Sequence, residues 1–155
     1  MGLLKIVSGG QTGVDRGALD AALAAGFPCG GWCPPDRAAE GGPIPDRYPM
    51  QLLAAGGHRL RARQNVIDSD GTAILFNESL SGGTKLTRDM CISEKKPFIV
   101  LDAKQIDTIR AAKVIRRFVE ENEIQVLNVA GPRPSGWADG HAFALAVLEG
   151  VLQSA

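Results

Sequence analysis

The sequence lacks two features that would assign it to a broad functional class: an excess of charge of one sign and a long apolar run. Its 155 residues contain 17 Lys and Arg against 17 Asp and Glu, so the formal net charge is zero. Without a basic excess, the composition does not favour a general role on nucleic acid or on an anionic membrane surface. No apolar stretch approaches the length of a membrane span, and residues 1–5 lead directly into a strand-like run rather than a signal peptide. We therefore expect a cytoplasmic protein without nucleic-acid or membrane partners.

Cysteine and histidine are also scarce, which limits the chemistry that the chain offers. The three cysteines, Cys29, Cys33 and Cys91, are an odd number and argue against a disulfide framework. Cys29 and Cys33 have no nearby histidine or second cysteine pair, so we expect no metal site. His58 and His141 occur without a Gly-x-Ser-x-Gly elbow, and the residues alone identify no catalytic group.

Short apolar runs alternate with helical segments along the whole chain. Most of these runs are continuously apolar, as strands covered on both faces should be. The pattern predicts one α/β domain over residues 1–155, with a largely parallel sheet of about five strands and helices on both faces. The predicted strands lie at residues 3–7, 27–33, 72–76, 98–101 and 124–130, and the second is the weakest.

A glycine-rich segment separates the first strand from an alanine-rich helix that starts at Val14. Glycine lets a backbone approach a ligand closely, and the free N–H groups of a helix N-terminus favour an anion. An alternative is a capping box of Thr12 and Asp15 after a simple tight turn. The segment matches neither the dinucleotide fingerprint nor the P-loop. The predicted ligand-binding residues here are Gly9, Gly10, Gln11, Thr12, Gly13 and Asp15.

Two further polar segments follow predicted strands. The segment after the third strand contains Gly82, Gly83 and Thr84 at the start of a helix, and we expect it to form a second phosphate cradle. Thr84 could instead act only as a helix cap. The segment after the fifth strand places Arg133 and Ser135 where they could meet an anion. Because the carboxyl ends of parallel strands lie at one edge of the sheet, these segments should line one site.

A long segment rich in proline and glycine, residues 33–50, interrupts the α/β alternation. Long irregular loops inside compact domains are usually functional or disordered. This one carries the polar side chains of Arg37, Glu40 and Asp46, and we count Arg37 and Glu40 among the ligand-binding residues. We expect the loop to close part of the site, and the alternative is a plain surface loop.

The last predicted helix, which follows Asp139, is apolar around nearly its whole circumference. Phe143, Val147 and Val151 repeat on one side, whereas a helix packed only on its own sheet should show a single apolar stripe. Such a surface needs a cover, so we predict a homo-oligomer. The alternative is a helix sunk between the sheet and the long loop.

Several motifs together resemble the molybdenum carrier (molybdenum cofactor carrier) family. They are Ile6-Val-Ser-Gly-Gly-Gln-Thr-Gly-Val-Asp-Arg, Ala39-Glu-Gly-Gly-Pro-Ile-Pro-Asp-Arg-Tyr-Pro, Asn65-Val-Ile-Asp-Ser-Asp-Gly-Thr, Ser81-Gly-Gly-Thr-Lys-Leu-Thr and Leu127-Asn-Val-Ala-Gly-Pro-Arg. This family is similar to the lonely-guy phosphoribohydrolases and the DNA-processing protein group, which share a Rossmann-like fold. The resemblance implies a nucleotide-binding sheet whose bound ligand is molybdenum cofactor, a phosphate-bearing pterin, with no other cofactor required.

The predicted function is therefore a soluble carrier or binding protein for a phosphate-bearing, nucleotide-like small molecule. The alternative, implied by the lonely-guy enzymes, is a nucleoside-monophosphate phosphoribohydrolase that cleaves an N-glycosidic bond. Those enzymes carry Pro-Gly-Gly-x-Gly-Thr-x-x-Glu and an arginine on the preceding helix. Here the two glycines match, Asp89 falls at the glutamate position, and Arg61 or Arg63 could replace the arginine. An aspartate is one methylene shorter, so binding ranks ahead of catalysis.

Overall fold

A computed structural model describes residues 1–153 of the chain as an α/β structure. The helices are α1 (Val14–Ala24), α2 (His58–Ile67), α3 (Gly82–Ser93), α4 (Thr108–Glu121) and α5 (Gly140–Gln153), and the strands are β1 (Lys5–Val7), β2 (Cys29–Gly30), β3 (Trp32–Cys33), β4 (Gln51–Leu52), β5 (Gly71–Phe76), β6 (Phe98–Asp102) and β7 (Val126–Ala130). Within residues 1–153, none of these helices combines the length and hydropathy needed to cross a bilayer.

The main sheet has five strands in the order β2-β1-β7-β5-β6, and every neighbouring pair is parallel. This arrangement confirms the predicted α/β class and the number of strands. The last strand in the chain, β7, inserts between β1 and β5. As a result, the segments that follow β1, β7 and β5 are neighbours at the carboxyl edge of the sheet, where open α/β sheets bind ligands.

The predicted second strand, residues 27–33, forms two short strands in different sheets. β2 pairs with β1, whereas β3 pairs with β4 in a separate two-stranded parallel sheet. Gly31 lies between them at a φ of +132°, and a Cβ there would overlap the carbonyl oxygen of Ser8. The chain leaves the main sheet at this glycine because only a residue without a side chain fits so close to the end of β1.

Helices cover both faces of the sheet, as predicted. On one face, α1, α4 and α5 pack together in the larger core, which includes Ala111 and Ile115. On the other face, Val66 of α2 packs with Cys91 of α3. Adjacent residues of β6 pack on opposite faces of the sheet. Phe98 packs with the α2–α3 cluster, and Ile99 packs with the larger core of α1, α4 and α5. This alternation is expected of a strand with a covered surface on each side.

The apolar circumference of α5 is covered within the chain. The helix packs against α1 and α4, and its Val147, Leu148 and Val151 side chains are fully buried. Among residues 1–153, none of the exposed large apolar side chains belongs to α5. Most of the cover comes from these two helices, and α5 also contacts strand β5 of the main sheet. Self-association stays a prediction, but the apolar circumference of α5 is no longer an argument for it.

The long loop between β3 and β4 is folded rather than plain. Ile44 and Tyr48 are buried and pack with Leu19 of α1. The Tyr48 hydroxyl donates to Asp20 Oδ1 at 2.7 Å. Arg37 donates from Nε to the carbonyl of Ile44 and from Nη2 to the carbonyls of residues 45 and 48. These contacts hold the loop against α1 and the β1–α1 segment.

Candidate functional site

A cavity of about 450 Å³ opens at the carboxyl edge of the main sheet. Its walls come from the segments after β1, β5 and β7 and from the first turns of α2 and α3. Ligand sites in proteins commonly have volumes of about 300–1,000 Å³, so the cavity can hold a small molecule. The predicted residues that line it are Gln11, Asp15, Gly82, Gly83, Thr84, Arg133 and Ser135.

The glycines of the β1–α1 segment make room for the protein itself. Gly10 has a φ of +73°, and a Cβ there would lie about 3.0 Å from Ile44 of the long loop. Gly13 has a φ of +92°, and its Cβ would lie 2.6 Å from the carbonyl oxygen of Pro132. Both positions therefore bring loops into contact, and neither residue lines the cavity. Protein atoms therefore fill the space on the Cβ side of these two glycines, and phosphate binding by the β1–α1 segment stays a prediction.

The polar side chains of the same segment fasten the long loop. Gln11 Oε1 accepts hydrogen bonds from the backbone N–H of Glu40 at 2.6 Å and of Thr12 at 3.2 Å. The Thr12 hydroxyl donates to the Glu40 carbonyl at 3.1 Å. Glu40 in turn accepts from the Ser135 backbone N–H at 3.1 Å. The Ser135 side chain, then this backbone hydrogen bond and the charge of Arg133, lower the pKa of Glu40. The network joins three loops at the rim, and Thr12 and Glu40 do not line the cavity.

The β5–α3 segment presents free hydrogen-bond donors to the cavity. Ser81 is the N-cap of α3 but makes no side-chain capping bond. Within the described residues, the backbone N–H groups of Gly82, Gly83 and Thr84 have no protein acceptor. A Cβ at Gly82 or Gly83 would meet no atom within 4 Å, so the space on the side-chain side of these glycines is open within residues 1–153. An open helix N-terminus of this kind favours an anion.

Positively charged side chains surround the mouth of the cavity. Arg133 from the β7–α5 segment and Arg59 from the first turn of α2 are exposed and line it. His58, the first residue of α2, lies beside them. Partial burial, with the nearby charges of Arg61 and Arg133, lowers the pKa of His58.

A buried ion pair forms part of the cavity floor. Arg61 of α2 approaches Asp15 of α1, with 3.5 Å between Nη1 and Oδ2, and the two side chains are only 15% and 5% exposed. Burial raises the pKa of Asp15 to about 6, because lost hydration outweighs the charge of Arg61 and the nearby backbone N–H groups of Gln11 and Gly9. A Cβ at Gly9 would overlap the Arg61 guanidinium, so this glycine makes room for the arginine.

Two anchors place α2, and with it Arg61, beside the sheet. Asn65 accepts from the Trp32 N–H at 2.8 Å and donates to the Trp32 carbonyl at 3.1 Å. The Trp32 indole N–H donates to Asp68 at 2.6 Å. With α2 anchored in this way, Arg59 and Arg61 face the cavity, whereas Arg63 lies outside it and pairs with Glu94 at 2.8 Å.

Other predicted residues lie away from the cavity. Arg37 is committed to three carbonyl groups of its own loop. Asp89, at the position of the lonely-guy glutamate, is half exposed and pairs with Arg88. Among residues 1–153 there is no group of three or more His, Cys, Asp or Glu side chains arranged to hold a metal.

Several lining residues were not among the predicted ligand-binding residues, and one of them, Arg61, was named only as a replacement for the lonely-guy arginine. They are His58, Arg59, Arg61, Asn77, Ser79, Ser81 and Thr87. Those of the β5–α3 segment could have been predicted from their position after a strand. Those of α2 could not, because the preceding segment of the chain does not follow a strand of the main sheet.

Two comparisons with known proteins agree with the fold and with the presence of a site. A model of the circularly permutated YpsA SLOG family matches residues 6–152. The crystal structure of a protein named "Putative molybdenum carrier protein" from Syntrophus aciditrophicus SB is similar to this chain, with 40% sequence identity, a TM-score of 0.94, and coverage of 97% of this chain and 96% of that chain. No curated protein matches the chain significantly. The resemblance seen in the motifs is confirmed, and it supports a ligand-binding role.

Proposed function

Because this chain belongs to the circularly permutated YpsA SLOG family, we propose that it is a carrier or binding protein for a phosphate-bearing, nucleotide-like small molecule. The observation that carries the proposal is the convergence of anion-binding groups on one cavity. Three arginines and the open N-terminus of α3 line it, and Asp15 is the one acidic residue among its described lining residues. Such an arrangement attracts an anion and repels a cation.

The donors of the cavity suit a terminal phosphate. The three N–H groups at the start of α3 match the oxygens of a phosphate at a helix N-terminus. Arg133 and Arg59, at the mouth, supply charge that a guanidinium can direct to phosphate oxygens in pairs. Among the described residues, no Phe, Tyr or Trp lines the cavity, so a ring system would pack on Leu86, Pro132 and the arginine planes. The phosphate, rather than the ring, is therefore the group that we expect to dominate the affinity.

Molybdenum cofactor is the first ligand to test, since the similar protein from S. aciditrophicus is named as a molybdenum carrier. The decisive measurement is the mass spectrum of the small molecules that remain with the purified protein. A pterin carrying a phosphate supports this ligand, whereas a different phosphorylated compound supports the broader proposal alone. Protein that carries no ligand can be titrated with nucleoside monophosphates in a calorimeter.

The Arg133→Ala variant tests the charge at the mouth. The Arg133 side chain is exposed and forms no hydrogen bond or ion pair within residues 1–153. Its loss removes the effect of its charge on Glu40 and His58 and should therefore change the free energy of unfolding little. Affinity for a nucleoside monophosphate should fall by about 1.5–3 kcal/mol, the usual contribution of a charged hydrogen bond. Arg110→Ala on α4 is the matched control, because it removes the same charge outside the cavity. Equal affinities in the two variants would exclude Arg133 from the site.

A second function, cleavage of the N-glycosidic bond of a nucleoside monophosphate, is favoured by the Asp15–Arg61 pair. A carboxyl group with a pKa of about 6 in a cavity wall is suited to exchange protons near neutral pH. The location of Asp89 argues against this activity, because the residue at the position of the lonely-guy glutamate lies outside the cavity. Water would add across the bond to give the free base and ribose 5-phosphate. Release of base with repeated turnover supports hydrolysis, and saturable binding without products supports the carrier.

A further inference from the structure

The Arg61 guanidinium is poorly satisfied by the protein. Its one carboxylate contact, to Asp15, is 3.5 Å long, at the outer limit of a hydrogen bond. Its Nε is buried and has no hydrogen-bond partner among the described residues. Buried polar groups are normally paired, and an unpaired one in a cavity wall needs an explanation. An anion in the cavity would supply the missing acceptor.

Asp15, for its part, depends mainly on Arg61 to balance its negative charge. Its carboxyl group is almost fully buried, and Arg61 is the cation that most strongly stabilises its charge. Arg16, next to it on α1, contributes less. The remaining charged or titratable side chains of the cavity, His58 and Arg59 on α2 and Arg133 after β7, lie at the mouth. If Arg61 turned to another anion, the Asp15 charge would keep only the backbone N–H groups of Gln11 and Gly9 and the weaker effect of Arg16.

We infer that Arg61 is the innermost anion-binding group of the cavity and Asp15 its exchangeable counter-ion, so that an anionic ligand binds Arg61 while Asp15 takes up a proton. This inference rests on the proposed function and names the chemistry by which that site selects its ligand. The proton is needed because two anions that share one buried guanidinium repel each other. Protonated Asp15 then offers an O–H donor to a ligand oxygen.

The inference predicts how affinity depends on pH. The free protein has Asp15 half protonated near pH 6, and the bound protein should hold that proton to a higher pH. Affinity for a dianion should therefore fall by about tenfold per pH unit above pH 6, until the pKa of the bound state is reached. Below pH 6, Asp15 is already neutral, and the affinity should level off.

Sulfate is the appropriate probe, because it stays a dianion over the whole range and takes up no proton itself. Its binding is measured by calorimetry between pH 5.5 and pH 8, in two buffers with different ionisation enthalpies. The expected result is the uptake of about one proton per sulfate near pH 7. In Asp15→Asn, the uptake should vanish and the affinity at pH 7.5 should rise, because the amide imitates the neutral acid.

Two further variants separate Asp15 from other titrating groups. His58 also faces the cavity, so His58→Gln must retain the proton uptake if Asp15 is its source. Asp89→Asn removes an exposed carboxylate outside the cavity and should behave as the wild type. Loss of the uptake in the His58 variant, or its persistence in the Asp15 variant, would overturn the inference.

The result also distinguishes this inference from the proposed function. Sulfate that binds without proton uptake leaves the anion-binding cavity in place and overturns the exchange at Arg61. A protein that binds neither sulfate nor nucleoside monophosphates at any pH overturns both.

Discussion

The two glycine segments of this chain have similar sequences and opposite structural roles. In the β1–α1 segment, Gly10 and Gly13 adopt positive φ and bring the long loop and the β7–α5 segment into contact. In the β5–α3 segment, Gly82 and Gly83 face open space, and their N–H groups have no protein acceptor. A glycine motif after a strand thus indicates a close approach of backbone. Whether protein or ligand makes that approach depends on the rest of the fold.

The difference has a physical cause in the position of the strands. β1 lies between β2, after which the chain runs on into the long loop, and β7, so the long loop and the β7–α5 segment both meet the β1–α1 segment. The β5 segment faces the cavity and α2 instead. The β1–α1 segment therefore builds the rim, because its Gln11 and Thr12 hydrogen-bond to Glu40 of the long loop. The β5–α3 segment supplies backbone N–H donors to the cavity. Replacing one glycine in each loop is the most direct way to test this contrast.

Gly13→Ala should have the largest effect. The substitution places a methyl group 2.6 Å from the Pro132 carbonyl oxygen, at a φ of +92° that disfavours any side chain. Strain and overpacking together should lower the free energy of unfolding by about 4 kcal/mol. Urea unfolding followed by circular dichroism measures the loss. A variant as stable as the wild type would show that the β7–α5 segment can move away without cost.

The Asp15→Asn variant tests how this residue, in the first turn of α1, makes the free energy of unfolding depend on pH. The unfolded carboxyl group titrates near 3.8 and the folded one near 6, so the folded state binds more protons between these values. The wild type should therefore lose stability as the pH rises from 4 to 7, by about 2 kcal/mol if Asp15 acts alone. The variant should lack this loss and be the more stable protein at pH 7. Parallel unfolding curves at pH 4 and pH 7 test the sign, and a gap of equal size at both would contradict it.

How far the sequence predicted this molecule depends on the range of the interactions. The parallel sheet followed from apolar runs and helical periods, which are local. Thr84 and Arg133 were expected at the carboxyl edge because residues after parallel strands share one edge, and both line the cavity; their binding of a ligand stays a prediction. The contact of Arg61 with Asp15 could not be predicted, since only the packing of α2 brings together these residues, which are 46 positions apart in the chain. A sequence also does not reveal that nearby carbonyl groups accept from the guanidinium of Arg37, whose ligand-binding role stays a prediction.

Gly83→Ala should have the smallest effect on stability and the clearest effect on binding. No atom lies within 4 Å of the added methyl group, and the backbone conformation suits any residue, so the free energy of unfolding should change by less than about 1 kcal/mol. The methyl group does enter the space where we propose that a phosphate binds. Affinity for sulfate at pH 6 should fall about tenfold, as for the loss of one hydrogen bond to a charged group.

The control for that substitution is Gly57→Ala. Gly57 is the N-cap of α2, also in open space and without positive φ, but it does not line the cavity. It should change sulfate affinity little. If Gly83→Ala behaves in the same way, the N-terminus of α3 does not hold the anion. The contrast between the two glycine segments would then be one of packing alone, and Arg61 and Arg133 would remain as the groups that bind the phosphate.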